Sequence, residues 1–235
     1  MKKFIFDIDG TLTPSRKQID PSFEAFMIKF CCKHDVYLVT GSNREKTIDQ
    51  IGLDVYYRAH RVYNCAGNDV YEKDKNVYRN PWKLPDDAKE FLLKELKQSL
   101  FSVRTGTHIE DRPGCVNFSI LGRGANWTER EVYKEWDKDE HEREMIARRF
   151  NERFPDLYAT VGGQTGLDIA PLGRDKSQIL RDFSKDDDIH FFGDRIEKGG
   201  NDHTLAMAIV DNMMGTSYNV NDYKETWELL RGFDL

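Results

Sequence analysis

The sequence contains few cysteines and no long apolar run. Its four cysteines form no CxxC pair and no histidine cluster accompanies them, which excludes a zinc site of the usual spacing. No stretch approaches the roughly 18 apolar residues of a membrane span. The short apolar run before Asp7 is too brief for a signal peptide. We therefore expect a cytoplasmic protein with reduced thiols and no membrane partner.

The chain also lacks an excess of positive charge. Its 35 lysines and arginines are outnumbered by 41 aspartates and glutamates, which gives a net charge of -6. This balance argues against a nucleic-acid partner, which would require a basic surface. Neither a Walker phosphate loop nor a GxGxxG motif is present. Aromatic residues, at 12%, supply core material, and 235 residues suffice for one large domain or two small ones.

Short apolar segments alternate with helical patterns near both ends of the sequence. Buried strands are predicted over residues 4–8, 36–39, 55–58, 61–64 and 189–192. Asp20 before Pro21 predicts the start of a helix that reaches about residue 33. Ser42 and Glu45 have the spacing of a capping box for the next helix. The alternation predicts an α/β fold whose core is a Rossmann-like parallel sheet.

The middle of the sequence follows a different pattern. Antiparallel strands are predicted over residues 104–110, 115–121, 157–161 and 167–170. A helix is predicted over residues 85–100, and a capping box at residues 128–131 opens one long helix to about residue 153. The parallel pattern then returns with a helix start at residues 175–178. We therefore predict a core domain interrupted by an inserted α+β cap domain (an antiparallel sheet plus helices), with the division 1–80 and 173–235 for the core and 81–172 for the cap.

Polar residues follow three of the predicted core strands. Asp7 and Asp9, Thr40, and Asp194 all stand at carboxyl ends of strands, where open α/β sheets bind their ligands. Asp7 and Asp9 are two residues apart and point the same way on an extended backbone, so they repel each other unless a cation lies between them. Carboxylates without histidine or cysteine favour Mg²⁺ over zinc. The alternative explanation is an ordinary Asp-Gly turn.

The run FIFDIDGTLT at residues 4–13 resembles the nucleophile motif of haloacid dehalogenase-like phosphotransferases. The family's later motifs have counterparts in order at Thr40-Gly41-Ser42, at Lys176, and at Gly193-Asp194 with Gly200-Asn201-Asp202. The resemblance implies that Asp7 is the nucleophile, that Asp9 is the general acid and base, and that Thr40 and Lys176 contact the phosphoryl group. It further implies a magnesium site made by Asp7, Asp9, Asp194, Asn201 and Asp202. The alternatives are a strand-end cap for Thr40, a helix cap for Ser42, and a solvated helix residue for Lys176.

The middle region narrows the resemblance to the eukaryotic-type phosphomannomutases. HIEDRPGCVN at residues 108–117, ILGR at 120–123, TER at 128–130 and GGQ at 162–164 resemble motifs of that family. The family's substrate contacts would then be made here by Arg16, Arg112, Arg123, Arg130 and Asp168. Guanidinium groups suit a phosphate that must be held away from the reacting one. The alternative is that these arginines pair with surface acids. The chain departs from the family pattern at Gly166, usually a serine, and at Thr204, usually an acid.

Three functions are compatible with these motifs. The first is a Mg²⁺-dependent phosphomannomutase that interconverts mannose 6-phosphate and mannose 1-phosphate, with a hexose 1,6-bisphosphate as activator. The resemblance also implies a role in GDP-mannose supply and a homodimer through the cap. The second function is a phosphatase on the same fold, in which water accepts the phosphoryl group. The third is a catalytically silent module that binds a phosphosugar.

Overall fold

The computed structural model of the protein describes residues 1–15 and 17–233. The chain divides into two compact units: the first combines Met1–Arg79 with the chain from Gly173 onward, and the second is Asn80–Leu172. None of the described helices is long and apolar enough to cross a membrane. Cys31, Cys32, Cys65 and Cys115, all within the described chain, are thiols.

The strands and helices alternate along much of the chain. In chain order, the strands are β1 (Lys2–Phe6), β2 (Asp35–Val39), β3 (Arg61–Asn64), β4 (Asp69–Glu72), β5 (Lys75–Arg79), β6 (Ile109–Arg112), β7 (Cys115–Phe118), β8 (Leu157–Gly162), β9 (Gly166–Pro171), β10 (Asp188–Gly193) and β11 (Gly215–Asn219). The α-helices are α1 (Pro21–Lys33), α2 (Arg44–Arg58), α3 (Asp86–Gln98), α4 (Trp127–Glu140), α5 (Glu142–Arg153), α6 (His203–Asp211) and α7 (Tyr223–Arg231).

The first unit is built on one sheet with the strand order β11-β10-β1-β2-β3-β4-β5. The strands from β11 to β3 are parallel, and β4 and β5 add an antiparallel edge. Both faces are covered: Phe4 and Phe6 belong to one apolar cluster, and Ile5 and Phe191 to another. The central strand β1 lies between β10 and β2, so the carboxyl ends of these three strands adjoin.

Several predicted elements of the first unit are confirmed and others are wrong. Asp20 caps α1 by accepting from the backbone N–H groups of Ser22 and Phe23, as expected. The second cap is Asn43, whose side chain accepts from Lys46 N, and not Ser42. Residues 55–58 are helical, because α2 resumes after a kink at Gly52, where φ is 76°, and buries one face of its last turns.

Other parts of the first unit also differ from the prediction. The predicted helix after Asp175 is a 3₁₀-helix, Lys176–Asp182, although Asp175 does cap it through Ser177 N. The hairpin β4–β5 was not predicted, and neither were β11 and α7. The strands β4, β5 and β11 are short, so their patterns in the sequence are weak, whereas α7 has an amphipathic pattern and a cap at Asp222 that could have identified it.

The second unit contains an antiparallel sheet in the order β6-β7-β9-β8. Val116, Phe118, Leu167 and Ile169 are buried on one face, and the last three lie in one apolar cluster with Tyr133 of α4. The other face is polar. Together with the mainly parallel sheet of the first unit, this inserted α+β unit confirms the predicted fold class.

Three predictions for the second unit are corrected. The capping box is formed by Asn126 and Glu129, whose side chains each accept from the other's backbone N–H, and not by residues 128–131. The single long helix is two helices, because His141 takes a left-handed conformation with φ 54° between α4 and α5. The carboxylate of Asp137 accepts from Arg143 N at 2.9 Å and stabilises this break. The strand predicted over residues 104–110 begins later, at Ile109, and ends at Arg112, as β6.

Candidate active site

The carboxyl ends of β1, β2 and β10 carry the polar residues that the sequence indicated. Asp7 follows β1, and its backbone N–H donates to Phe192 O at 2.9 Å. Thr40 follows β2, and its backbone N–H donates to Tyr63 O at 2.9 Å. Asp194 follows the last residue of β10. The strand pairing therefore holds the backbone of this edge while the side chains project beyond it.

Three carboxylates meet at this edge. One oxygen from each of Asp7, Asp194 and Asp202 lies within 4.8 Å of the others. Gly10 makes room for the group, because a Cβ at this position would lie 2.3 Å from Asp194 Oδ2, and its φ of +88° also disfavours other residues. The sequence predicted a carboxylate cluster, and the close approach at Gly10 explains how the chain accommodates it.

Lys176 lies within this group of acids. Its Nζ donates to Asp7 Oδ1 at 2.5 Å and to Asp202 Oδ1 at 2.6 Å, and all three side chains are buried. Burial lowers the pKa of Lys176, but the two carboxylates outweigh it and hold that pKa above its usual range. Lys176 is therefore an ammonium ion that orients the Asp7 carboxylate, and it is not a solvated residue.

The acids nevertheless outnumber this ammonium ion. Burial raises the pKa of Asp7 to about 7; Lys176 opposes this rise, and Asp202 and Asp194 add to it. Burial, followed by the charge of Asp202, raises the pKa of Asp194 to about 6. Three ionised carboxylates and one ammonium leave two negative charges in excess. A divalent cation would offset that excess, and an all-oxygen donor set suits Mg²⁺.

One expected carboxylate ligand, Asp9, lies outside this carboxylate group. It instead accepts a hydrogen bond from Gln50 Nε2 at 2.9 Å and lies 3.6 Å from Lys46 Nζ. Asn201, the other remaining expected ligand, adjoins Asp202 and is exposed. The structure thus brings together three of the four expected carboxylates, and Asp9 faces helix α2.

Thr40 is buried, and its hydroxyl oxygen accepts from Ser42 N at 3.1 Å. The hydroxyl hydrogen can still be donated to a phosphoryl oxygen. The carbonyl of Thr40 accepts from Ala66 N at 2.8 Å, and the carbonyl of Ala66 accepts from Gln178 Nε2 at 2.7 Å. These bonds connect the loop of Thr40 to the 3₁₀-helix that carries Lys176.

A second polar cluster lies on the open face of the sheet in the second unit. Glu110, Asn117 and Asp168 stand opposite one another on β6, β7 and β9. Arg112 donates to Glu110 Oε2 at 2.7 Å, and Arg123 Nε lies 3.0 Å from the same oxygen. Arg112 also lies 3.6 Å from Asp168 Oδ1. The structure thus brings together Arg112, Arg123 and Asp168, which the sequence analysis proposed as substrate contacts.

Glu110 and Asn117 are the members of this cluster that the sequence analysis did not assign. Asn117 donates to Asp168 Oδ1 at 2.7 Å, so it orients that carboxylate. Glu110 lies two residues before Arg112 on β6, and Asn117 pairs with Glu110 across the β6–β7 hairpin, so both share the face of Arg112. Gly166 bears on the same contact, because a Cβ there would lie 2.8 Å from Asn117 Nδ2. A serine side chain at this position would therefore require the Asn117 amide to shift.

The two remaining arginines have different settings. Arg130 lies in the first turn of α4 and donates to the carbonyl oxygens of Ala125, at 3.0 Å, and Arg123, at 3.5 Å. This places it beside the cluster of Glu110. Arg16, the remaining expected substrate contact, lies outside the described residues.

Comparison with known proteins identifies relatives along most of the chain. The model of a family described as "Eukaryotic phosphomannomutase" matches residues 23–232. A phosphomannomutase of Triticum aestivum is 34% identical over 209 residues, which cover 86% of this chain and 84% of that protein. A phosphomannomutase of Saccharomyces cerevisiae is 31% identical over 211 residues, with 86% and 83% covered.

Solved structures resemble the fold at lower identity. A haloacid dehalogenase-like hydrolase from Bacteroides thetaiotaomicron aligns with a TM-score of 0.63 at 12% identity, covering 99% of each chain. A trehalose-6-phosphate phosphatase related protein aligns with a TM-score of 0.58 at 20% identity, covering 99% of this chain and 97% of that one. At these identities the likeness concerns the fold alone.

Proposed function

The chain belongs to the eukaryotic phosphomannomutase family, and on that premise we propose that it is a Mg²⁺-dependent phosphomannomutase. The reaction is the interconversion of mannose 6-phosphate and mannose 1-phosphate. The observation that carries the proposal is the pairing of the buried Asp7 carboxylate with Lys176, beside Asp194 and Asp202. Such a carboxylate is oriented, and its charge is partly offset, as a nucleophile toward a phosphoryl group requires.

The proposed reaction begins with a phosphoryl group on Asp7. The free hydroxyl of mannose 6-phosphate attacks phosphorus, the bond from phosphorus to the Asp7 oxygen breaks, and the hydroxyl proton passes to Asp9. The product is a hexose 1,6-bisphosphate, which then presents its other phosphoryl group. Asp7 attacks that group, the bond to the sugar oxygen breaks, and Asp9 returns its proton to that oxygen. Mannose 1-phosphate leaves and the aspartyl phosphate is restored.

Residues of the first unit stabilise these steps in the proposal. Lys176 offsets charge between Asp7 and the phosphoryl oxygens, and the hydroxyl of Thr40 donates to one of those oxygens. Asp7, Asp194 and Asp202 would hold the cation, and we extend the proposed site to Asp9 and Asn201 from the motif. When bound, Mg²⁺ supplies further positive charge to the transferring group.

The second unit supplies recognition in the proposal. Arg112, Arg123 and Arg130 would bind the phosphate that is not reacting, with Arg16 joining them, and Asp168 would accept from sugar hydroxyls. Glu110 contacts both Arg112 and Arg123, so it holds their guanidinium groups together until a phosphate replaces it. In this division residues 81–172 select the substrate and the remaining residues form the catalytic core. A cytoplasmic enzyme that feeds GDP-mannose synthesis, and a homodimer through the second unit, complete the proposal.

One assay tests this function. The purified protein is incubated with Mg²⁺ and mannose 1-phosphate, with and without a hexose 1,6-bisphosphate. We expect formation of mannose 6-phosphate that the bisphosphate stimulates. Steady release of inorganic phosphate as the main product would instead indicate a phosphatase. Absence of turnover across a panel of phosphosugars would indicate a binding module.

Two variants assign the roles within this assay. Asp7→Asn should abolish phosphoryl transfer, and retained activity would overturn the assignment of the nucleophile. Arg123→Ala should impair mutase turnover far more than hydrolysis of a small aryl phosphate, because the aryl substrate has no second phosphate to bind. Equal losses would mean that Arg123 supports the structure and does not bind substrate.

A further inference from the structure

Gln50 is a buried amide that connects helix α2 to the loop following β1. Its side chain is 2% exposed. Its Nε2 donates to Asp9 Oδ1 at 2.9 Å and reaches Thr13 Oγ1 at 3.5 Å. Gln50 thus contacts the carboxylate proposed to move the proton, and it does so from a rigid element. The family motifs identified in the sequence do not include it.

The surrounding hydrogen bonds fix which way this amide faces. Thr13 donates its hydroxyl hydrogen to Ile8 O at 3.3 Å, so its oxygen is left to accept. The oxygen of Asp9, when ionised, can only accept as well. Both neighbours therefore require the NH₂ end of Gln50, and a flipped amide would place oxygen against oxygen.

The other end of the amide is buried, and within residues 1–15 and 17–233 no donor forms a hydrogen bond with Gln50 Oε1. A buried acceptor without a donor destabilises the folded state. An apolar side chain of similar length would avoid that penalty, so packing alone does not explain a glutamine at this position. The contact with Asp9 supplies a functional reason.

The backbone of Gln50 supports the same loop at its far end. Its carbonyl accepts from Ile19 N at 2.7 Å. The kink at Gly52 interrupts the helix two residues later, where φ is 76°. Gln50 therefore holds the segment between β1 and α1 at Asp9, Thr13 and Ile19, and any shift of α2 is transmitted to Asp9.

From these contacts we propose that Gln50 is a positioning residue for the carboxyl group of Asp9. This inference rests on the proposed function. One amide N–H binds Asp9 Oδ1 and fixes the rotation of the carboxyl group. The other oxygen, Oδ2, lies 3.6 Å from Lys46 Nζ and would carry the transferred proton. As the bond between phosphorus and the sugar oxygen breaks, that proton moves from Asp9 to the departing oxygen, and the new bond forms between phosphorus and Asp7. Without Gln50, Asp9 rotates and the departing oxygen is protonated less often.

Two phosphoryl donors separate this role from a general structural one. Transfer from a hexose 1,6-bisphosphate to Asp7 needs a proton on the departing sugar oxygen. Transfer from 4-nitrophenyl phosphate does not, because nitrophenolate leaves as a stable anion. The measurement is the first-turnover rate of Asp7 phosphorylation from each donor, together with kcat and KM for mannose 1-phosphate.

Gln50→Met removes the amide and retains the length of the side chain. We expect the rate from the bisphosphate to fall about tenfold to a hundredfold, the effect of a misplaced catalytic group. The rate from 4-nitrophenyl phosphate should change by no more than about threefold, with the KM for mannose 1-phosphate unchanged and kcat reduced. The Tm should stay the same or rise, because the unpartnered oxygen is gone.

Thr13→Val is the second variant, because it removes the oxygen that orients the amide. It should also lower the rate of Asp7 phosphorylation from the bisphosphate more than the rate from 4-nitrophenyl phosphate, but by a smaller factor than Gln50→Met does. Thr47→Val is the matched control: Thr47 is fully buried one turn earlier on α2, and its hydroxyl donates to Asn43 O at 2.9 Å. Thr47→Val should leave the rate of Asp7 phosphorylation unchanged with both donors.

The results that would overturn the role of Gln50 differ from those that would overturn the proposed function. Equal losses with both donors in Gln50→Met, or no loss with either, overturn the positioning role. If the wild type hydrolyses sugar phosphates without isomerising them, the mutase proposal fails, and the same comparison of sugar and aryl donors still tests Gln50. If the wild type transfers no phosphoryl group from either donor, both proposals fail.

Discussion

At the scale of single residues, Lys176 shows how one buried cation organises three acids. It contacts Asp7 and Asp202 directly, and its charge also opposes the rise in the pKa of Asp194. A buried ion pair gains little net stability over apolar packing, but removal of one partner leaves an uncompensated charge in the interior. The chain therefore depends on Lys176 for stability as well as for the proposed chemistry.

Lys176→Met should lower the free energy of unfolding by about 3 kcal/mol at pH 8 in the absence of Mg²⁺. The loss should be smaller at pH 5.5, because the pKa of Asp7 is raised to about 7 and a protonated Asp7 needs no cation. The sign follows from linkage: the contribution of the raised pKa is fully present below the ordinary carboxyl pKa of about 4 and is lost progressively as the pH rises from there through 7. Urea unfolding at both pH values measures the difference.

Lys185→Met is the control for this substitution, since Lys185 is exposed. It should change stability little at either pH. A loss in Lys176→Met that is the same at pH 5.5 and pH 8 would contradict the electrostatic explanation and indicate a packing effect.

The residues of the site could be predicted only where a local pattern identifies them. Asp7 and Asp194 follow apolar strands, and the order of those strands in the sheet brings the two side chains to the same edge. Gln50 carries no such local signal, because its role depends on which side chain the tertiary structure places opposite it. Asp9 stands at a predicted position, yet it faces α2 because a kinked helix presents Gln50 to it.

At the scale of elements, the types of the longer segments were predictable and several of their ends were not. The cap of α1 follows from Asp20-Pro21, a strong local signal. Residues 55–58 form part of a helix, although their aromatic and branched side chains favour a strand, because tertiary burial outweighs the local preference. The long charged helix breaks at His141, where Asp137 offers the backbone another acceptor.

The start of α4 provides a test at this scale. Asn126 accepts from Glu129 N at 3.0 Å and Glu129 accepts from Asn126 N at 2.8 Å. Asn126→Ala should lower the free energy of unfolding by about 1 kcal/mol. It should also raise the KM for mannose 1-phosphate, because Arg130 lies in the turn that the cap stabilises. Chemical unfolding and steady-state kinetics measure the two effects.

Thr128→Ala distinguishes the observed cap from the one that the sequence predicted. Thr128 is exposed inside the first turn and is not part of the capping box. The variant should therefore leave both quantities nearly unchanged. A larger loss in Thr128→Ala than in Asn126→Ala would place the start of the helix at the predicted residue.

At the scale of the whole molecule, the net charge is -6, but two local clusters of charged side chains differ in the sign of their excess charge. The first unit has three carboxylates around one ammonium. In the second unit, Arg112 and Arg123 pair with Glu110 and Asp168, and Arg130 donates to the backbone carbonyl of Arg123. Overall composition argues against anionic partners, whereas the local clusters are suited to a cation in one unit and to phosphate in the other.

The excess of acid in the first unit makes cation binding depend on pH. Protons compete with Mg²⁺ for Asp7 and Asp194, whose pKa values are raised to about 7 and about 6. At pH 8 both are ionised in the folded protein, and at pH 5.5 both are largely protonated. A ligand that binds the folded state stabilises it more as its affinity rises.

We therefore expect a saturating concentration of Mg²⁺ to raise the Tm more at pH 8 than at pH 5.5. Scanning calorimetry with Mg²⁺ or EDTA at each pH measures the two shifts. Asp194→Asn should abolish the shift at pH 8, because it removes one carboxylate of the group, while Asp186→Asn, a change at an exposed acid, should preserve it. A shift that is equal at the two pH values would mean that the cation binds elsewhere, since only carboxylates with raised pKa values exchange protons for Mg²⁺ in this range.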